Sequence, residues 1–400
     1  AFSYVIFDSN ASQYVSQNKY ELTVQDPKVS GEDGRSTYVV DSSNKLISCR
    51  VGKGVETLNM PDPIGPYHIY NIDANIFANY CNLKMVSLPA SVQTIGENAF
   101  KGCHNLATVV FNNSSVQIGE NAFKTQDYTG AQHINCSGVA ADPDGTPKVK
   151  LKFVGEISSQ STPYLYAMSE NGRYNNASQV KSYVTYCSGW PSNLIVQYNS
   201  EKQVSELTDF PAFSELKKYA DNPDDYPYLT DEQRSAAKTA LNKYGNSSLT
   251  ENEQSFIDSA LNIKIPDGVQ AIADGLYKSK ETSDEQAGYT GLEKTVTLWG
   301  LDNIEAEDFQ GATSLTALIS NGDMSSIEEG AFKGCTNLKK VEINGNTTSI
   351  GDKAFEDCNA LTDVTLSGTI TDLGIIPFTG CENLKSVNFT GTDYFSCDNS

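Results

Sequence analysis

The 400-residue sequence predicts an α/β solenoid: a coil of short strands in parallel, interrupted by an α+β insert and closed at its amino end by a β-rich cap. Two observations predict it. Phe309, Phe332, Phe355 and Phe378 stand 23 residues apart, and Phe77, Phe100 and Phe123 keep the same interval upstream. Around them one apolar skeleton recurs: Leu338, Val341, Ile343 and Ile350 after Phe332 return as Leu361, Val364, Leu366 and Leu373 after Phe355. A fixed period in the twenties marks units that cannot bury an apolar face alone and must stack.

Residues 1–45 read as the cap, with alternating stretches such as Tyr20-Glu21-Leu22-Thr23-Val24. The open end of a solenoid needs covering. Residues 46–126 form the first repeat block. Within a unit, 338–343 ends in apolar/polar alternation, the mark of a half-buried strand. Gly345-Asn346 supplies a turn, Ile350-Gly351 re-enters the core, and Ala354-Phe355 is placed on the opposite wall on a short helical turn. Stacking aligns the strands ~4.8 Å apart.

Residues 127–262 break the period and form the α+β insert, with strand-like runs at 149–154 and 194–198. Capping-box patterns at Thr230-Asp231-Glu232-Gln233 and Thr250-Glu251-Asn252-Glu253 predict two short antiparallel helices at its end. Repeats resume at Ile263 with Ile265, Val269, Ile272 and Tyr277, and a Gly/Ser/Asp-rich loop at 278–291 lengthens that unit. The second block runs over 263–400, and its last rung is expected to be exposed or covered by something this sequence does not encode.

The strings IGENAFKGCHNLATVVF (95–111), IEEGAFKGCTNLKKVEI (327–343) and IGDKAFEDCNALTDVTL (350–366) resemble the BspA-like leucine-rich repeat family. The likeness covers about 46–126 and 263–392. It implies a curved leucine-rich-repeat solenoid with the parallel β-sheet on its concave face, on a secreted or cell-surface bacterial protein. Such proteins are often proposed to bind host or bacterial surface components. Ala312 in place of the cysteine, Ser320 in place of the last strand apolar residue, and Pro377 in place of alanine depart from the pattern.

Composition narrows the classes. With 29 Lys plus Arg against 50 Asp plus Glu, the net charge of -21 repels phosphate backbones, so nucleic acid is not an expected partner. No apolar run reaches transmembrane length. The opening Ala1 fits a mature secreted chain or one trimmed of its leader. A monomer is expected.

Nine cysteines occur, and five of them (Cys81, Cys103, Cys335, Cys358 and Cys381) fall at or beside one repeat position. They read as buried, reduced, stacked thiols. Cys49, Cys136, Cys187 and Cys397 lie off the pattern, and a Cys136–Cys187 bond stays open. Of the three histidines, His104 reads as a solvent-facing spacer in a repeat turn, and His133 stands near Cys136 with nothing to show spatial contact. No nucleophile elbow, H-E-x-x-H helix or phosphate loop occurs, and the acidic turns at 142–145 and 221–225 lack EF-hand spacing. No enzyme activity, cofactor or metal is expected.

Two surfaces remain as binding candidates. The residues flanking the strand apolar positions form polar ladders: Lys340, Glu342 and Asn344; Asp363, Thr365 and Ser367; Ser386, Asn388 and Thr390. Eleven of the 21 tyrosines lie between 128 and 244, among them Tyr164, Tyr166, Tyr174, Tyr183 and Tyr186, a residue type suited to glycan stacking and protein interfaces. The expected function is a non-enzymatic, adhesin-like binding protein for an extracellular protein or glycan. A hydrolase or glycan-processing activity housed in the insert, and a structural spacer, are the rival readings.

Overall fold

A computed structural model of the chain describes residues 19–125, 151–168, 180–187, 190–221, 231–245 and 248–390. The chain divides into two compact units, Ala1–Val184 and Thr185–Ser400.

The first unit opens with β1 (Lys19–Gln25), β2 (Arg35–Asp41) and β3 (Lys45–Arg50), paired antiparallel in that order. Alternation in β2 buries Ser36, Tyr38 and Val40 and turns the residues between them outward. Along the chain follow β4 (Thr57–Asn59), β5 (Asn71–Ile72), β6 (Met85–Leu88), β7 (Thr94–Ile95), β8 (Thr108–Phe111), β9 (Gln117–Ile118), β10 (Leu151–Gly155) and α1 (Thr162–Met168). From β3 the pairing becomes parallel, through β5 and β7 to β9, with Leu46, Ile72, Ile95 and Ile118 in one column. The opposite wall runs β4–β6–β8–β10, aligning Leu58, Val86, Val109 and Phe153. Each turn of the coil therefore adds one strand to each wall. β10 comes from the stretch where the period breaks, yet it lies parallel on β8.

In the second unit β11 (Val180–Cys187) opens across the division, followed by β12 (Trp190–Asn199), β13 (Val204–Asp209), α2 (Lys217–Asp221), α3 (Asp231–Lys243) and α4 (Glu251–Leu261). Then come β14 (Asn262–Ile265), β15 (Ala271–Ile272), α5 (Leu276–Gln286), β16 (Lys294–Leu298), β17 (Asn303–Ile304), β18 (Leu315–Ser320) and β19 (Met324–Ile327). The run closes with β20 (Lys340–Ile343), β21 (Thr347–Ile350), β22 (Asp363–Leu366), β23 (Asp372–Leu373) and β24 (Ser386–Phe389). Strands β14–β16–β18–β20–β22–β24 form one parallel sheet, and β17–β19–β21–β23 form the facing one. Strands β12 and β13 are antiparallel, and β13 continues in parallel with β15.

The 23-residue period is visible as stacked rings. Phe77 on Phe100 and Phe100 on Phe123 have centroids 4.8 and 5.2 Å apart. Phe309, Phe332, Phe355 and Phe378 follow at 5.0, 5.1 and 5.3 Å. Tyr277 takes the phenylalanine slot of its own unit, 4.8 Å from Phe309. Between rings, the cysteines satisfy wall carbonyls. Cys103 Sγ donates to Phe77 O, Cys335 to Phe309 O and Cys358 to Phe332 O, at 2.9, 3.0 and 3.2 Å. Two residues on, Asn105 and Asn337 donate to the carbonyls of Cys81 and Thr313 on the preceding rung, at 2.7 and 2.8 Å. A buried carbonyl without a partner is costly, which explains the thiol at this offset. Gly351 follows its strand because a Cβ there would sit 2.5 Å from Glu329 N on the rung below.

The helix pair α3 and α4 forms over a core of Phe213, Leu216, Ala237, Ala240, Phe256, Ile257 and Leu292. The capping box at α4 is present: Glu253 N donates to Thr250 Oγ1 at 3.4 Å, and Thr250 N donates to Glu253 Oε2 at 2.8 Å. Thr230 lies outside the described residues.

The structure corrects two local expectations. The loop expected at 278–291 is helical over most of its length, as α5. Its inward face is Leu276, Tyr277, Glu281 and Asp284, so two carboxylates carry half of the helical periodicity, invisible to a reading of apolar spacing. The helical turn expected at Ala354-Phe355 is a run of tight turns, with Lys353 and Asp357 at φ 52° and 61°.

Candidate functional site

Register builds a solvent face on the six-stranded sheet of the second unit. Val341, Val364 and Val387 pair across β20, β22 and β24, so the residues immediately before and after each turn outward. The first outward column aligns Ala317, Lys340, Asp363 and Ser386, and the second aligns Ile319, Glu342, Thr365 and Asn388. The third is Asn344, Ser367 and Thr390, whose amides donate to Ser320, Ile343 and Leu366 carbonyls one rung back. All nine residues expected on this face lie on it, half-buried or exposed.

The ladder is knit internally. Lys340 Nζ is 2.6 Å from Glu342 Oε1. Ser386 donates to Asp363 at 3.1 Å, and the Ser367 and Thr390 hydroxyls are 2.7 Å apart. Hydrogen bonds from Thr362 and Ser386 hold the Asp363 carboxyl below its usual range.

Sequence reading missed Trp299. Its amide donates to Ile265 O and that of Asn321 to Leu298 O, which places both in the third column beside Asn344. Its indole is 49% exposed. The signal was available: Trp299 follows Leu298 as Asn344 follows Ile343, and the chain has only two tryptophans. At the far end of the unit, Leu373, Ile375, Ile376 and Phe389 are exposed apolar side chains.

Other expected features fall differently. Tyr164 is buried and Tyr166 packs against Phe123 and Phe153, both on α1, so these two belong to a core and not to a tyrosine surface. Tyr174, His133, Cys136 and Cys397 lie outside the described residues. His104, expected to face solvent, is 2% exposed, with Nδ1 3.9 Å from Cys81 Sγ. Cys81, expected to be reduced, is held in a disulfide, whereas Cys49, Cys103, Cys335, Cys358 and Cys381 are free. The physical reason is a one-residue shift. Tyr80 occupies the slot that cysteine fills elsewhere, its hydroxyl donating to Cys49 O at 3.3 Å, and this displaces Cys81 from the thiol column. Burial pushes the Cys103 thiol up to about 12 and Cys49 higher still.

Among the described residues no group of three or more His, Cys, Asp or Glu is placed to hold a metal ion. No described helix is long and apolar enough to cross a membrane.

With this geometry in place, comparison with known proteins gives a likeness. Residues 66–137 and 289–396 match the BspA type leucine rich repeat region, in six copies. These two stretches, somewhat under half of the chain, are similar to the repeats of that family. Among solved structures, a leucine rich cell surface protein from Faecalibacterium prausnitzii is 16% identical, with 91% of this chain and 94% of that chain covered and a TM-score of 0.31. A leucine-rich repeat protein from Eubacterium ventriosum is 17% identical over 95% and 96%, at 0.26. One from Bacteroides ovatus is 15% identical over 95% and 100%, at 0.22. At such scores these likenesses bear no argument. No curated protein matches the chain.

Proposed function

We propose that this is a non-enzymatic binding protein, secreted or held at a cell surface, which recognises an extracellular protein or glycan with the outward face of β14–β24. The carrying observation is the aligned ladder of Lys340, Glu342, Asn344, Asp363, Thr365, Ser367, Ser386, Asn388 and Thr390, with Trp299 exposed beside it. Stacked repeats offer such extended faces to partners, and an exposed tryptophan on a polar field has the character of a binding hot spot. The disulfide at Cys81 suits an oxidising compartment. The net charge of -21 favours basic or neutral partners over anionic ones.

The test is an array of extracellular-matrix proteins and host and bacterial glycans, probed with the full chain and with a Trp299→Ala/Thr365→Lys/Asn388→Lys variant. A partner bound by the wild type and lost at least about tenfold in the variant supports the reading. A partner bound equally by both places recognition elsewhere and ends it.

A further inference from the structure

The unit that α5 lengthens also holds a pocket of about 280 Å³. Glu281, Asp284 and Glu285 of α5 form part of its wall with Tyr289, Lys294 and Asn337. We propose that this pocket binds a neutral, hydroxyl-rich ligand the size of one sugar, such as the terminal hexose of a glycan.

Two of the acids are structural. Glu281 accepts four hydrogen bonds, from the amides and hydroxyls of Thr313 and Ser314. Asp284 accepts from Ser214 N at 2.9 Å and from Lys294 Nζ at 2.9 Å, in an ion pair buried on both sides. The four acceptor sites of Glu281 are used, and Asp284 is already matched by the buried Lys294 ammonium, so neither offers a free carboxylate to a cation. What remains is a mixed set. Lysine carries three donors and Lys294 uses one of them on Asp284. Among the described residues the Glu285 carboxylate and the Tyr289 hydroxyl have no hydrogen-bond partner, and Asn337 uses only its Nδ2, on Thr313 O.

Donors and acceptors in one hollow suit a group that is both, and a sugar hydroxyl is both. Charge weighs against the alternatives. Glu281, Asp284, Glu285 and Glu293 outnumber Lys294 and Lys339 in the lining, which disfavours an anion. A cation would approach two ammonium groups already matched to Asp284 and Glu293. Size sets the scale, because ligand pockets run ~300–1,000 Å³ and this one, at about 280 Å³, lies just below that range. The assignment does not depend on the strand face as a recognition surface, and the two readings fail separately.

The experiment is saturation-transfer NMR on the full chain with glucose, galactose, mannose and N-acetylglucosamine, each at millimolar concentration. N-acetylneuraminic acid and arginine amide serve as the anionic and cationic arms. Transfer to at least one hexose is expected, weakened about tenfold in a Glu285→Ala/Asn337→Ala variant, as the loss of one or two hydrogen bonds implies. Tyr289→Phe keeps the ring against Phe213 and removes only the hydroxyl, so a smaller loss is expected there without risk to folding. Lys53→Ala, at an exposed position of the first unit, is expected to change nothing. Transfer to none of the hexoses, equal transfer in the double variant, or stronger binding of the acid or the amide overturns the proposal.

Discussion

Asp308 stands where the repeat elsewhere has Ala99, Ala122, Ala331 or Ala354, one residue before the stacked phenylalanine. It is 1% exposed. Its Oδ2 accepts from Glu305 N at 2.8 Å, and among the described residues its Oδ1 has no hydrogen-bond partner. Burial, opposed by that one amide and aided by the negative charge of Glu305, pushes its carboxyl from the ordinary 3.8 to about 7. Between these two values the folded chain holds a proton that the unfolded chain has released. Stability attributable to this group is therefore fully present below pH 3.8 and lost as pH rises through about 7. A shift of about three units amounts to at most ~4 kcal/mol at 1.36 kcal/mol each. Asp308→Asn keeps the shape and an acceptor for Glu305 N but cannot ionise. Urea unfolding of both proteins at pH 4 and pH 8 isolates the effect, since every titrating group that does not interact with Asp308 cancels in the difference. The variant is expected to gain on the wild type by ~2–4 kcal/mol between the two pH values. A gain under ~1 kcal/mol, or a relative loss as pH rises, would refute a buried, orphaned carboxyl at this slot.

Two further outcomes follow from the stack and the thiols. Phe332→Ala removes a fully buried ring from between two neighbours at 5.0 and 5.1 Å, and is expected to cost about 3–5 kcal/mol in denaturant unfolding. A cost below ~1 kcal/mol would mean that the rings do not carry the second unit. In the native chain Cys103, Cys335 and Cys358 are expected to resist iodoacetamide at pH 8, because all three are buried out of the reagent's reach, and to react on unfolding. Cys81 is expected to stay unlabelled until a reductant is added, and peptide mass spectrometry reads each site.

The repeat was legible because its signal is apolar and periodic. Residues 23 apart had to coincide in register, and Ile72 on Ile95 or Val341 on Val364 follow from that interval alone. The nine ladder residues were legible for the same reason, since alternation along a strand sets which side chains leave the core. Trp299 was missed although it obeys the rule, because its unit is lengthened and its offset had to be counted from Leu298 and not from Tyr277. The inward face of α5 was hidden differently. Glu281 and Asp284 are buried through partners brought by Thr313, Ser314 and Lys294, and a carboxylate shows no sign in sequence that it will find them.

By itself, then, the order of residues determined the coil, its period, and which side chains face water along each strand. Those depend on local alternation and on a repeat length that every rung must share. Which buried acids are paired, which cysteine leaves the thiol column, and where a hollow opens depend on neighbours from distant rungs. Only the packed chain supplies their distances, and at close range the free energy of a charge changes by several kcal/mol with the presence of one partner.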